Sequence, residues 1–166
     1  MKKVYQTIID ENKGNCMQAA IASLFDLELN DVPNFIGFES WFSPMYKLIQ
    51  EQGYDYHGML WNKYYNKLWH TKKDCWEKPK YHRGHIVTPK RLYREEGVNG
   101  LFYAGVLSPK YFSWGARKDT THAVIIDKDY NIVFDPNKEY KKLYQYPLAD
   151  LLKYNGIIDV MIINPK

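Results

Sequence analysis

The sequence predicts an α+β domain, in which a helix near the N-terminus packs on a mainly antiparallel sheet supplied by the C-terminal half. Three observations lead there. Residues 15–26, NCMQAAIASLFD, are rich in Ala and Leu and place apolar residues at helical spacing. Four short runs after residue 100, LFYAGVL, THAVIID, NIVFD and IIDVMIIN, are β-branched or aromatic and bounded by turn residues. Helices come first and strands later, which is the order of an α+β chain and not of an alternating parallel α/β sheet.

Each element follows from its local pattern. In 15–26, Met17, Ala20, Ile21 and Leu24 form one stripe, Gly14 lets the chain turn, and Asn15 is expected as the N-cap. Leu27 to Pro33 reads as the exit, with Asp31 capping a short turn. Residues 44–52, PMYKLIQEQ, read as a second helix, opened by Ser43-Pro44 and stopped at Gly53. Residues 54–100 have no clean period; loops, a short strand or two and a half-helix near 89–96 are expected there. Strands are expected at 101–107, 121–127, 131–135 and 157–164, and a last helix at 147–154, between Pro147 and Gly156.

A length of 166 residues suits one domain, and 45% hydrophobic residues allow it a real core. The opening MKKVYQTIIDENKG has no apolar stretch behind its lysines, so it does not read as a secretory signal. No apolar run approaches the ~20 residues a membrane helix needs. The expectation is a soluble cytoplasmic protein with no membrane partner. Two cysteines, Cys16 and Cys75, are too few for a disulfide scaffold, and reduced thiols are the default. The net charge of +4 hides an asymmetry: residues 1–60 carry four Lys and eight Asp/Glu, whereas residues 61–94 carry ten Lys/Arg against Asp74 and Glu77.

Cys16 is the sharpest chemical signal. It stands at the first turn of the best helix, where unpaired N–H groups and the helix dipole favour an anion and so lower a thiol pKa. A cysteine in an apolar helix is otherwise simply core. His122 and Asp135 supply the partners. A two-residue turn at Lys128-Asp129 sets His122 directly opposite Asp135 on one face of a hairpin, where the carboxylate orients the imidazole toward a thiol. A three-residue turn makes them diagonal neighbours instead. The competing reading leaves His122 at a strand edge and Asp135-Pro136 at a turn. The oxyanion donors expected are the Cys16 N–H and the Gln6 side chain, with Asn12 and Asn15 as competitors.

These residues carry a resemblance. Gln6, Gly14-Asn15-Cys16, Val32-Pro33-Asn34-Phe35, His122-Ala123-Val124 and Asp135-Pro136-Asn137 together resemble the motifs of small phage and bacterial proteins with a papain-like cysteine peptidase fold. The arrangement is also similar to the leader-cleaving peptidases of bacteriocin exporters. The resemblance covers both ends of the core and little of residues 36–100. It implies Cys16 as nucleophile, His122 as base, Asp135 as orienting carboxylate and Gln6 as oxyanion donor. It also implies a protein or peptide substrate and, for a phage protein, a target in the host cytoplasm. Gln6 lies further upstream of the cysteine than in that family, with residues 10–13 read as an inserted loop.

The segment 61–94 is expected to form a lid or insertion beside the site. Trp61, Trp69 and Trp76 within it, and Asn15 next to the nucleophile, are the expected substrate contacts. Aromatics interleaved with Lys and Arg suit single-stranded nucleic acid, and equally an acidic protein surface. The alternative to an enzyme is therefore a non-catalytic binding protein that uses this segment. His70, Cys75, His82 and His85 also fall there, but their spacing matches no common zinc pattern, so no metal and no cofactor are expected.

Overall fold

A computed structural model of the chain describes residues 1–9, 14–61, 90–107, 121–138 and 157–166. The architecture over these residues is mixed helix and antiparallel sheet. Helix α1 spans Cys16–Leu24 and helix α2 spans Phe42–Glu51. Strands β1 (Tyr54–Trp61), β2 (Phe102–Leu107), β3 (Thr121–Ile126), β4 (Ile132–Phe134) and β5 (Ile157–Pro165) form one sheet in the order β1-β5-β2-β3-β4. Every neighbouring pair is antiparallel. The last strand thus inserts between the first two.

The period-2 pattern of the strands sorts the core into two faces. Phe102, Ala104, Val106, Val124, Ile126, Val160 and Ile162 pack on one face with Leu60, Leu92 and Tyr130. Tyr103, Ala123, Ile125, Met161 and Ile163 pack on the other, against Ala20, Ile21 and Leu24 of α1 and Met45, Leu48 and Ile49 of α2. Ile21 and Leu24 are almost wholly buried, each worth about 1.5–3 kcal/mol when withdrawn from water, and they seat α1 on the sheet.

The helix ends differ in detail from the sequence expectation. Asn15 occupies the N-cap position of α1 but makes no side-chain cap. The C-terminus closes with Leu27 N–H to Ala22 O at 2.9 Å and Asp26 N–H to Ser23 O at 3.4 Å, around Asp26 at φ +59. That is a Schellman closure with Asp in the left-handed position that glycine commonly fills. Two 3₁₀ turns follow, Leu29–Asp31 and Phe35–Gly37, and the capping side chain is Asn34, which accepts from the Ile36 N–H, not Asp31. Helix α2 begins just before Ser43-Pro44 and ends at Glu51, and Gly53, at φ +84, reverses the chain into β1.

The half-helix expected near 89–96 is a 3₁₀ turn, Arg91–Arg94. The expected helix 147–154, Trp69, Trp76 and the 61–94 lid beyond Trp61 and before Lys90 lie outside the described residues. Among the described residues no helix is long and apolar enough to cross a membrane.

The hairpin register is corrected. The turn holds three residues, 128–130, with Asp127 N–H to Asn131 O at 3.0 Å and Tyr130 at φ +64. Ile126 pairs with Ile132, but Ile125 pairs with Phe134, so Val133 is bulged out of the ladder. One further step along this register sets Asp135 beside Val124, two residues from His122. His122 and Asp135 are therefore diagonal neighbours, not direct ones.

Candidate active site

The N-terminal turn of α1 is held by the segment before it. Val4 N–H donates to Ser23 Oγ at 2.9 Å, inside α1. Gln6 N–H donates to Pro136 O at 3.0 Å, which ties the same segment to the residue after Asp135. Asn15 completes the clamp. Its Oδ1 accepts from Thr7 N–H at 3.0 Å and Ile8 N–H at 2.9 Å, and its Nδ2 donates to Thr7 Oγ1 and Gln18 Oε1. Gln18 in turn donates to Leu29 O and Val32 O. Asn15 was expected to cap the helix and touch substrate; at 2% exposure, with its amide occupied on both ends, it instead positions the turn that carries Cys16.

This geometry brings Cys16, His122 and Asp135 into one hydrogen-bonded line. His122 Nε2 lies 2.6 Å from Asp135 Oδ1. The same Oδ1 accepts the Asn137 N–H at 2.7 Å, an Asx turn that fixes the carboxylate. The imidazole also hydrogen-bonds the Cys16 side chain, and with Nε2 engaged by Asp135 the nitrogen left for sulfur is Nδ1. The sulfur accepts in addition from the N–H groups of Ala123 and Met17. Strand β4 reaches β3 only at Ile125 and Ile126, so the edge at Ala123 has no strand partner from β4 and the thiol occupies it.

The electrostatics follow from those contacts. Burial opposes the imidazolium, but the hydrogen bonds and charges of Asp135 and Cys16 outweigh it and push His122 up to about 9. Burial likewise opposes the thiolate of Cys16, yet the His122 hydrogen bond and charge, with the Ala123 and Met17 N–H groups, bring its pKa down. The two shifts describe one coupled pair, in which each partner favours the charged form of the other. Cys16 is a free, half-buried thiol, whereas His122 and Asp135 are 6% and 10% exposed.

Two further groups carry unpaired polar atoms. The Cys16 N–H has no acceptor among the described residues, as befits the first turn of a helix. Gln6 has its Oε1 buried with no hydrogen-bond partner, and no acceptor among the described residues takes its Nε2. Trp61 ends β1, level with Asp159 of β5.

Asp159 escaped the sequence reading. It faces the α1 side of the sheet, where its carboxylate accepts the Gly105 N–H at 3.0 Å. Burial drives its pKa up to about 6, partly offset by that N–H. The available signal was a single acid inside the otherwise apolar run IIDVMIIN. Among the described residues no group of three or more His, Cys, Asp or Glu could hold a metal ion; His70, Cys75, His82 and His85 lie outside them.

Comparison with protein-family models, curated proteins and solved structures finds no match to this chain.

Proposed function

We propose that the chain is a cysteine-nucleophile hydrolase or acyltransferase acting on an amide, with the papain-like order of nucleophile, base and orienting carboxylate. The observation that carries this reading is the continuous line from the Cys16 sulfur through the His122 ring to Asp135 Oδ1, the last link 2.6 Å long. The nucleophile at a helix tip, with His122 on the sheet and Asp135 directly after β4, agrees with the resemblance of the sequence motifs. A buried thiol kept only for packing needs neither an imidazole partner nor three hydrogen bonds to its sulfur.

The chemistry follows from the resting ion pair. The Cys16 thiolate attacks the substrate carbonyl carbon, and the carbonyl oxygen becomes an oxyanion. The Cys16 N–H and the Gln6 carboxamide are the donors assigned to it, and a preorganised donor of this kind is worth about 2.7–4 kcal/mol. His122 gives its proton to the leaving amine as the C–N bond breaks, leaving a thioester on Cys16. His122 then takes a proton from water, or from an acceptor amine, as that nucleophile attacks; the S–C bond breaks and the thiolate–imidazolium pair returns. Asp135 holds the ring in the required orientation throughout.

A thiol-directed probe tests this. Iodoacetamide is expected to label Cys16 selectively at pH 6.5 and to label it much more slowly in His122→Ala. Equal, slow labelling of Cys16 and Cys75, unaffected by His122→Ala, would favour the non-catalytic binding protein.

A further inference from the structure

We propose that Asp159 is a specificity residue for substrates carrying a lysine or arginine side chain next to the scissile carbonyl. The inference rests on the reading of Cys16 as nucleophile and names the substrate class of that same site.

The register sets the stage. Asp159 lies directly opposite Gly105, and Gly105 directly opposite Ala123, so the three form one row across β5, β2 and β3. The Cys16 sulfur sits on the Ala123 N–H at the end of that row. Two interstrand spacings separate Ala123 from Asp159, about 10 Å. The middle position carries no side chain. A Cβ built on Gly105 meets Asp159 Oδ1 at 2.6 Å and Oδ2 at 2.8 Å, so the carboxylate lies over β2, between its own strand and the Ala123 of β3 that contacts the Cys16 sulfur. A lysine or arginine side chain extending from a carbonyl at Cys16 spans the remaining distance.

The surroundings are those of an anion awaiting a cation. Neighbours of Asp159 on this face of β5, Met161 and Ile163, are buried and apolar. Among the described residues its one hydrogen-bond donor is the Gly105 N–H, and no Lys, Arg or His pairs with it. The titratable groups that feel its charge are Tyr56 of β1 and Tyr103 of β2, and both are neutral phenols pushed upward, burial first and Asp159 second. A half-buried carboxylate without a counter-ion is costly, and an apolar residue would pack there at lower cost. A substrate cation removes that cost only while it is bound, which is how a site prefers one substrate over its neutral isostere.

The test uses two thiol reagents, chloroacetyl-lysine amide and its neutral isostere chloroacetyl-norleucine amide, with alkylation of Cys16 followed by mass spectrometry. The lysine reagent is expected to react about 5-fold faster at pH 7.5, equivalent to about 1 kcal/mol. The ratio is expected to fall toward one in Asp159→Asn, which keeps an acceptor for the Gly105 N–H. In the unmodified protein it should also fall as pH drops from 7.5 through 6 to 5, while Tyr56 and Tyr103 stay protonated. Taking a ratio cancels the changing thiolate fraction of Cys16, and the pH series decides the matter if Asp159→Asn does not fold. A ratio of one at pH 7.5, or a preference that survives both substitution and acid, overturns the assignment while leaving fast Cys16 alkylation intact. Slow alkylation by both reagents, insensitive to His122→Ala, removes the nucleophile itself and this assignment with it.

Discussion

His122 and Asp135 meet diagonally: Nε2 and Oδ1 are 2.6 Å apart, although the bulge at Val133 sets Asp135 level with Val124. The contact therefore depends on the turn after β4, where the Asn137 N–H pins the same oxygen. Asp135→Ala is expected to leave the ring without its anionic partner, to lower the His122 pKa and to raise that of Cys16. Alkylation of Cys16 by iodoacetamide at pH 6.5 should slow by on the order of 10-fold, about one pKa unit. An unchanged rate would mean that the carboxylate does not tune the thiol.

The pair should also register in stability against pH. The His122 pKa is raised from 6.5 to about 9, so its protonated form contributes in full below about 6.5 and is lost as pH rises through 9. That of Cys16 is lowered from 9.0, so its thiolate contributes in full above that value and is lost as pH falls through the folded-state pKa. Between pH 6.5 and 9.0 the two contributions offset one another, because the folded pair and the unfolded pair each hold one proton. The urea midpoint is expected to fall from pH 7.5 to pH 5 by more in the unmodified protein than in His122→Ala. Parallel pH profiles would argue against a resting ion pair.

Asn15→Ala strips the amide that accepts from Thr7 and Ile8 and leaves two N–H groups without that acceptor. Thr7 and Ile8 are themselves exposed, so the cost expected is that of the lost hydrogen bonds, about 0.5–1.5 kcal/mol each. Because the same clamp sets the helix tip, Cys16 alkylation should slow as well, and Asn15→Asp, which keeps the acceptor oxygen, should recover part of it. Loss of stability with no change in thiol reactivity would restrict Asn15 to a folding role.

Gly105 has no room for a side chain beside Asp159. Gly105→Ala is expected to displace the carboxylate and cost about 1–3 kcal/mol, as overpacking does. In an Asp159→Ala background the cost should be smaller, a coupling readable from a double-mutant cycle by denaturation. Strict additivity would show that the two positions do not share that space.

Much of this arrangement was legible from residue order. The Ala-rich stretch after Gly14 could only be a helix, and α2 and four of the strands fall within a few residues of their expected bounds, because apolar period and turn residues are local signals. The hairpin register was not legible. A turn of two residues or three, and a bulge at Val133, are settled by how Tyr130 and Phe134 find the core, Tyr130 at 3% and Phe134 at 5% exposure. Strand β1 was only loosely expected, since its residues draw their order from pairing with β5, a hundred residues later.

By itself the sequence determined the helix with cysteine at its tip, the apolar strands, and a His and an Asp close enough along the chain to share a hairpin. These are short-range consequences of propensity and periodicity. Only the tertiary structure decided that β5 enters between β1 and β2, that Asn15 turns inward to clamp residues 7 and 8, and that the Asp159 carboxylate lies over a bare Gly105. Those contacts join residues far apart in the chain, and their partners are chosen by packing and hydrogen-bond satisfaction across the whole sheet, which no local pattern encodes.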